Sequence, residues 1–390
     1  MKQRLLALLL GVSGSAIADG PDCVWIQNAR AFLGGGFTDA GLVIQRGVLE
    51  IAGAPSPELH AHCQIIDAKG RPVTAGLIDP FSAVGLIEVE LEVETVDSHP
   101  PTPLDADFRA ADAFDPRSTV IPVARIAGVT GAVLAPEGGF VSGIGAYADF
   151  GGGTRAQSLQ NVATGLYLDL RSPLGSRAKN LAVLRSLFTE AAFREAHRAD
   201  IDVVRARSST FPAETLDQVQ RVLAQALPLV VRVDHAADID ALLALATDRK
   251  IRLIIVGGAE AWLLAPALAA AKVPVIVDGL LNGPTSFDTR FARADNAALL
   301  AKAGVSVMLS TFATHNVRTL GQVAGNAVRA GLDPDTALRA ITSAPAAAFG
   351  LGGAGELTVG APATLVFWSG DPCEVSSAPM FIDDSPNMTM

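Results

Sequence analysis

The sequence predicts an α/β protein in which a large domain of alternating strands and helices stands beside a smaller β-rich domain. Three observations support this fold class. The chain has 390 residues, of which 49% are hydrophobic and only 18% charged, so it can bury a large core. Its middle alternates short apolar runs with amphipathic segments, as parallel βα units do. Both ends alternate short apolar runs with turns instead.

The two ends of the chain share this β-rich character. From Cys23 to about Arg71, the runs VWIQNARAF, GLVIQRGVLEIAG and HCQIIDAKGRP are separated by tight turns, and the tail from Gly355 has the same pattern. Strands at opposite ends of a chain must meet to bury their apolar faces. We therefore expect one small sheet domain that is split in the sequence.

The middle of the chain begins with the stretch VTAGLIDPFSAVG, from Val73 to Gly85. Its apolar run ends on Asp79, which is typical of a buried strand that delivers side chains to its end. The right-handed crossover rule turns the alternation that follows into a barrel or an open doubly wound sheet, and the periodicity leaves both open. Further strands are predicted at residues 130–134, 144–150, 165–170, 229–233, 251–256, 273–277 and 305–309, of which 144–150 is alternatively a loop hairpin.

Several segments between the strands have a recognisable character. Asp333 followed by Pro334 predicts the start of a helix. Residues 172–226 are long enough for two or three helices, and the acid-rich residues 88–117 predict a long loop over the end of the first strand. The glycine-rich residues 138–153 lack the Lys and following helix of a phosphate loop. A flexible hairpin beside the pocket is therefore favoured there over an anion-binding loop.

The N-terminus has the pattern of a secretory signal peptide over residues 1–18. Lys2 and Arg4 precede the apolar run 5–12, and residues 16–18, Ala-Ile-Ala, supply a cleavage site. We expect a periplasmic or secreted protein. Cleavage would change the formal net charge from −10 to −12, and no basic run follows, so a nucleic-acid partner is excluded. No later apolar stretch reaches the roughly 20 residues of a membrane span.

The cysteines and two nearby histidines are candidates for disulfide bonds or a metal site. Cys23, Cys63 and Cys373 are too few for a disulfide framework; their pairing stays open, and an odd number leaves at least one unpaired. His60 and His62 lie two residues apart beside Cys63. A metal site there would need further ligands, so a solvated strand edge is favoured.

Three motifs carry a resemblance to a known family: Gly-Leu-Ile-Asp at 76–79, Ala-Ile-Thr-x-x-Pro-Ala at 340–346, and Gly-x-Leu-x-x-Gly-x-x-Ala-x-Leu-Val-x-Trp at 355–368. In these motifs the chain resembles the amidohydrolase superfamily, most closely its imidazolonepropionase-like group. The resemblance implies a (β/α)8 TIM-like barrel with a small composite β-sandwich domain formed by both chain ends. It divides the chain into a signal peptide at 1–18, sandwich parts at 19–72 and 351–390, and the barrel at 73–350.

The resemblance also implies where metal ligands belong. In this family a His-x-His pair after the first barrel strand, a His after the fifth, a His after the sixth and an Asp after the eighth hold the metal. A metal site needs such convergent imidazole and carboxylate groups. We therefore expect no metal cofactor, since the corresponding positions in this chain are Phe81, Ala83, Arg232, Gly257 and Phe312.

Four polar residues are the candidates for a catalytic or binding site at the strand ends: Arg232, Asp234, His235 and His315. Both histidines follow barrel strands, so they could meet. Ser310 and Thr311 could join them in a polar pocket. Ligand binding, metal-free hydrolysis and a satisfied structural network all remain open for this cluster.

Two functions follow from these expectations. The first is an exported amidohydrolase-like protein that is catalytically inactive and binds a small molecule or a protein partner. The alternative is a hydrolase of carbon–nitrogen bonds, of amides or cyclic amides, that works through the rebuilt site with zinc as its cofactor. Zinc content discriminates between the two.

Overall fold

The computed structural model describes residues 23–99, 104, 106–171, 174–200, 209–280 and 283–383, so the predicted signal peptide lies outside the described residues. The strands are β1 (Cys23–Leu33), β2 (Gly36–Gln45), β3 (Val48–Ala52), β4 (Gln64–Asp67), β5 (Pro72–Ala75), β6 (Leu77–Ser82), β7 (Val129–Leu134), β8 (Val141–Ile144), β9 (Ala146–Asp149), β10 (Leu159–Asn161), β11 (Leu166–Asp169), β12 (Leu229–Val233), β13 (Leu253–Gly257), β14 (Val275–Asp278), β15 (Val307–Ser310), β16 (Leu365–Trp368) and β17 (Pro379–Asp383).

Helices lie mainly between the strands. The α-helices are Pro57–His60, Ala110–Ala113, Val120–Ile126, Arg155–Ser158, Arg177–Ala196, Ala213–Leu223, Ala236–Arg249, Ala265–Ala270, Asn296–Lys302, Leu320–Arg329, Pro334–Arg339 and Ser343–Phe349, and short 3-10 helices span Val93–Thr95, Ala261–Leu264 and Val317–Thr319. The helix predicted to start at Pro334 is confirmed: the Asp333 carboxylate accepts the Thr336 N–H at 2.9 Å as its cap.

Both ends of the chain meet in one seven-stranded sheet, the terminal sheet, with strand order β17-β16-β5-β1-β2-β3 and β4 beside β1. Alternate residues of β1, including Val24 and Ile26, are buried, and β16 is buried along its whole length. These strands bury one shared apolar face, as the sequence predicts. A second sheet that would complete a sandwich stays a prediction.

The chain passes from the terminal sheet to the central strands at Gly76. β5 pairs with β1 and β16, whereas β6, beginning one residue after Gly76, pairs with β7. A Cβ atom on Gly76 would lie 1.8 Å from the Thr130 Oγ1 atom. Only glycine therefore allows this close approach. The central strands begin at Leu77 rather than at the predicted Val73.

Seven parallel strands form the centre of the molecule. β6 and β7 form one parallel pair, and β11 to β15 form a parallel series in chain order. The predicted strand at 144–150 differs, because β9 pairs antiparallel with β7 and β8 pairs antiparallel with β11. Residues 144–150 are therefore not a parallel barrel strand, and β8 and β9 belong to different sheets rather than to one hairpin. Within the described part of the chain, backbone pairing gives two sheets rather than a closed ring.

The two sheets meet at two seams. At the β7/β11 seam, β8 and β9 fill the space between the parallel strands. At the β15/β6 seam the backbone of residues 340–341 does so: Leu309 N–H donates to the Ala340 carbonyl at 3.0 Å, and Ile78 N–H donates to the Ile341 carbonyl at 2.8 Å. Inward-facing side chains fill the space that the strands surround, among them Ile78, Val133, Val230, Ile254, Ile276 and Met308.

The cysteine pairing left open by the sequence is resolved. Cys23 and Cys63 form a disulfide between the start of β1 and the residue before β4. Cys63 is therefore no metal ligand in this state. Cys373 is a free thiol, and burial raises its pKa to about 12. Among the residues that the structure describes, no helix is both long and apolar enough to cross a membrane.

Candidate functional site

An aromatic–guanidinium stack fills the space at the carboxyl ends of the parallel strands, the place where barrels keep their active sites. The Phe81 ring near the end of β6 lies 5.3 Å from the Phe312 ring just after β15, centroid to centroid. The Cζ atom of Arg232, in β12, lies 5.2 Å and 5.4 Å from these two ring centroids. Guanidinium groups are attracted to aromatic faces at this range. We call Phe81, Arg232 and Phe312 the mouth stack.

Phe312 holds a backbone conformation that is rare for its residue type, with a φ of 49° in the left-handed region. Such a residue persists only where its surroundings fix it. The Phe312 N–H donates to the Ser310 hydroxyl at 3.1 Å, which helps to hold the turn after β15.

A buried carboxylate, Asp79, lies beneath the stack. It accepts hydrogen bonds from the hydroxyls of Ser310 at 2.6 Å and Thr311 at 2.7 Å, and from the N–H groups of Phe81 at 3.0 Å and Thr311 at 3.2 Å. Complete burial raises the pKa of Asp79, against the lowering effect of these hydrogen bonds. Ser310 and Thr311 therefore serve this network at the β15/β6 seam. They do not form the predicted pocket with His315.

Arg232 carries a half-buried positive charge. Its Nη1 atom donates to the Glu137 carboxylate at 2.7 Å, while its buried Nε atom has no acceptor among the described residues. Burial and then the neighbouring Arg171 lower the pKa of the guanidinium. Arg171 is itself paired with Asp169, with 3.0 Å between Nη2 and Oδ2.

The mouth stack borders a pocket of about 260 Å³, the mouth pocket. Two of the four candidate polar residues, Arg232 and Asp234, line it together with Gly257 and Phe312. Other polar residues contribute to its walls: Arg171, Asp278, Thr285, Thr289, Arg293 and Asn296.

Asp234 is the candidate with the strongest signs of a functional environment. The side chain is buried, and its Oδ1 atom accepts the Ala259 N–H at 3.2 Å. Burial raises its pKa, and the nearby Arg171 opposes that rise. A buried carboxylate with a raised pKa that lines a pocket can take up or release a proton.

His235 and His315 do not meet at this site. The Nε2 atom of His235 lies 2.9 Å from Asp288, and its Nδ1 atom lies 3.5 Å from Glu260. The Nε2 atom of His315 lies instead 2.8 Å from the Glu88 carbonyl. The two histidines thus have separate partners, and neither lines the mouth pocket.

His315 joins the end of β15 to the acid-rich loop that follows β6. Its Nδ1 atom lies 3.4 Å from the Glu90 carboxylate. The Glu88 carbonyl, first, and then the Glu90 carboxylate raise the pKa of His315. Glu88 accepts the Thr119 N–H at 3.0 Å. The predicted long loop therefore lies over the strand ends, tied by polar contacts.

The residues present do not fit a metal centre of the family's kind. Phe81, Ala83, Gly257 and Phe312 offer no side-chain donor atom, and Arg232 offers only protonated nitrogens. Within the described ranges, no three His, Cys, Asp or Glu side chains come close enough together to hold a metal ion.

Sequence reasoning missed the charged neighbours of Arg232. Glu137, Asp169 and Arg171 were not singled out, although Glu137 follows β7 by three residues and the other two stand at the end of β11. A signal was present, since all three residues lie at or just beyond the carboxyl ends of predicted strands, on the face that carries the site in barrels.

Comparisons with known proteins agree with this architecture. Residues 239–390 match the model of the amidohydrolase family, while no curated protein matches the chain. An amidohydrolase from Thermotoga maritima superposes with a TM-score of 0.82 at 23% identity, over 92% of this chain and 97% of that one.

Two more distant solved structures share the fold. A β-aspartyl dipeptidase from Fervidobacterium islandicum has a TM-score of 0.54 at 15% identity, over 93% of this chain and 95% of that one. A 5-methylcytosine deaminase from Klebsiella pneumoniae has a TM-score of 0.51 at 15% identity, over 93% and 96%. These likenesses show a mixed α/β fold shared with hydrolases and deaminases.

Proposed function

We propose that this chain is an amidohydrolase-like protein of the imidazolonepropionase-like group that has lost metal-dependent hydrolysis and binds a small molecule at the mouth pocket. The observation that carries the proposal is the mouth stack. Three of the five positions that the resemblance assigns to metal ligands are in contact with one another as two aromatic rings and a guanidinium. A cation among these groups would be repelled by Arg232 and would lack ligands.

Arg232 also supplies the reason to expect a ligand. A guanidinium has five N–H donors, and among the described residues only Glu137 accepts from it. A buried charge that is only partly paired costs stability. A small molecule with a carboxylate would pair with the remaining donors, and Asp234 would accept from a donor group of the same molecule.

The competing proposal, a rebuilt hydrolytic site, rests on Asp234. Its raised pKa suits a general base. The separate environments of His235 and His315 count against the four-residue site. Neither histidine joins Asp234 at the mouth pocket, so neither can serve there as a nucleophile or as a second proton carrier. Zinc would have to bind through residues other than the five expected ones.

Zinc analysis of the purified full-length protein tests the proposal. After incubation with zinc and dialysis, we expect well below one equivalent per chain. A variant that combines Phe81→His, Ala83→His and Phe312→Asp restores three of the five ligands and should retain more zinc than the wild type. One or two equivalents in the wild type, or turnover of amide or cyclic amide substrates, would support the hydrolase instead.

We infer in addition that the protein is exported. The pattern of residues 1–18 motivates this inference, and the Cys23–Cys63 disulfide suits an oxidising compartment. N-terminal sequencing of the mature protein from a periplasmic or secreted fraction should begin at Asp19. Recovery of the chain in the cytoplasm with Met1 retained would refute export.

A further inference from the structure

A second and larger cavity of about 690 Å³ lies away from the strand ends that carry the mouth stack. Thr130 and Asp149 line it at the opposite end of the strand pair β7 and β9, and Thr364 lines it just before β16. It therefore lies between the base of the central strands and the terminal sheet. We call it the base cavity. Its volume is within the range of about 300–1,000 Å³ that is common for small-molecule sites.

Two glycine loops form part of its wall. Gly151, Gly152 and Gly153 follow β9, within the glycine-rich stretch singled out in the sequence, and residues 350–355 follow the helix Ser343–Phe349. Gly350 and Gly352 have φ angles of 66° and 61°, and no atom lies within 4 Å of the place where their Cβ would be. Glycines here leave space in which a ligand can approach the main chain closely.

The side chains of the cavity wall are polar but almost uncharged. Of the described residues that line it, only Asp149 has a formal charge. The other polar ones are hydroxyl and carboxamide residues: Thr130, Tyr147, Gln157, Gln160, Asn161 and Thr364. Each of these groups both donates and accepts hydrogen bonds.

This composition selects among ligand classes. A phosphate or carboxylate would face Asp149 without a lysine or arginine in the wall to pair with. An alkylammonium would have one carboxylate and no open aromatic face, because the Tyr147 side chain is buried. A ligand with several neutral hydroxyls can both donate to and accept from the carboxamides that the wall leaves accessible, those of Gln157, Gln160 and Asn161.

We propose that the base cavity binds a neutral, hydroxyl-rich molecule of the sugar class, through its ring of hydroxyl and carboxamide groups and the two glycine loops. Asp149 takes part as an acceptor. One of its oxygens, Oδ1, already accepts the Gly151 N–H at 2.7 Å and so holds the glycine loop in place. This site is independent of the mouth pocket, and its ligand is independent of whether the protein hydrolyses anything.

Calorimetric titration of the full-length protein with glucose, galactose, maltose and N-acetylglucosamine tests the proposal, with glucose 6-phosphate and tetramethylammonium as charged probes. We expect one of the neutral sugars to bind with a stoichiometry of one and the charged probes not to bind. Failure of all four sugars, or preference for a charged probe, would overturn the proposal.

Variants locate the bound sugar. Gly153 lies outside the left-handed region, and only the Gln157 Oε1 atom lies near its Cβ position, at 3.7 Å. Gly153→Trp therefore fills the cavity without backbone strain and should weaken sugar binding at least tenfold. Gly53→Trp, a matched change at the residue after β3, should leave the affinity within twofold. If Gly153→Trp does not fold, the pair Gln157→Ala and Asn161→Ala replaces it; unchanged affinity in the folded variant would refute the site.

Discussion

At the β15/β6 seam a buried carboxylate and a stretch of backbone join the strands, whereas at the β7/β11 seam two short antiparallel strands occupy the space between them. The first depends on Asp79, whose carboxylate accepts hydrogen bonds from Ser310 and Thr311. These residues lie 231 and 232 positions further along the sequence. The second depends on repetitive backbone pairing by residues 141–149. The β15/β6 seam therefore tolerates few side-chain changes at its centre. At the β7/β11 seam the limit is the space available for added side-chain atoms.

The same contrast separates two charged residues at the mouth. The Asp79 carboxylate accepts four hydrogen bonds from neighbouring residues, so it belongs to the scaffold. Arg232, by comparison, has a buried Nε without an acceptor. A buried polar group that is left unsatisfied reduces stability and is retained where function uses it.

Removal of the seam carboxylate should have the largest effect. Asp79→Ala leaves the buried hydroxyls of Ser310 and Thr311 without their acceptor, and we expect a loss of about 3–5 kcal/mol in the free energy of unfolding. Urea denaturation measures it. Asp240→Ala, at an exposed position of the helix Ala236–Arg249, should stay within about 0.5 kcal/mol of the wild type. A loss below about 1 kcal/mol for Asp79→Ala would show that the seam does not need this network.

A change at the other seam should have an intermediate effect. A Cβ atom at Gly145, between β8 and β9, would lie 2.3 Å from the Tyr167 ring and 2.7 Å from the Thr164 hydroxyl oxygen. Gly145→Ala should therefore cost about 1–3 kcal/mol by overpacking. At Gly53 the nearest atom lies 3.7 Å away, so Gly53→Ala is the matched control and should be neutral or slightly stabilising. Equal stabilities of the two variants would contradict the crowding at the seam.

Replacement of the mouth guanidinium should change stability little or raise it. In Arg232→Met an apolar side chain takes the place of the charge between Phe81 and Phe312, and we expect a gain of between zero and about 1 kcal/mol. Arg339→Met is the comparison, because Arg339 donates to the Gly35 carbonyl at 2.7 Å and its removal should cost about 1 kcal/mol. A large loss for Arg232→Met would make Arg232 part of the scaffold, and the contrast with Asp79 would disappear.

The smallest expected effect is a change with pH in the stability of the acid-rich loop. Because the folded-state pKa of His315 is raised, its stabilising contribution is complete below its ordinary value and is lost as the pH rises through the folded-state value. His315 is partly exposed, so the contribution stays below about 1 kcal/mol. Protection factors for amide exchange of residues 88–97, in which the intrinsic pH dependence of exchange is divided out, should be higher at pH 5.5 than at pH 8.5, and His315→Gln should remove the difference.

Two controls belong to that measurement. Glu88 has a lowered pKa, chiefly through its hydrogen bonds to Ser118 and Thr119, so its contribution is lost only at a pH below its ordinary value. Working at pH 5.5 and above keeps Glu88 ionised. His197→Gln, at the end of the helix Arg177–Ala196, controls for the removal of a histidine. Loop protection factors that do not change with pH in the wild type would contradict the role of His315.

The local sequence pattern predicted the positions of most central strands, but it did not predict the contacts at the two seams. Residues 229–233 are a strand as predicted, and 130–134 and 251–256 differ from β7 and β13 by one or two residues at their ends. The contact of Asp79 with Ser310 could not be read from periodicity, since it joins residues that are far apart in sequence. Strand 144–150 was uncertain for a similar reason: its apolar pattern does not encode direction.

The candidate site was predictable in part. Phe81, Arg232 and Phe312 come together at the strand ends, as their places in the family motifs imply. His235 and His315 could have met because both follow strands, but each is bound to acidic residues of a different neighbouring loop. Loop conformations depend on long-range contacts that neither composition nor spacing records.

The terminal sheet can be completed only late in the synthesis of the chain. β5 lies between β1 and β16, so one edge of the N-terminal strands lacks its neighbour until ribosomes have made residues 365–368, nearly three hundred positions later. Contacts of such sequence separation slow folding, and the uncovered edge invites aggregation meanwhile. We therefore expect the nascent chain to need chaperones between the synthesis of β5 and that of β16.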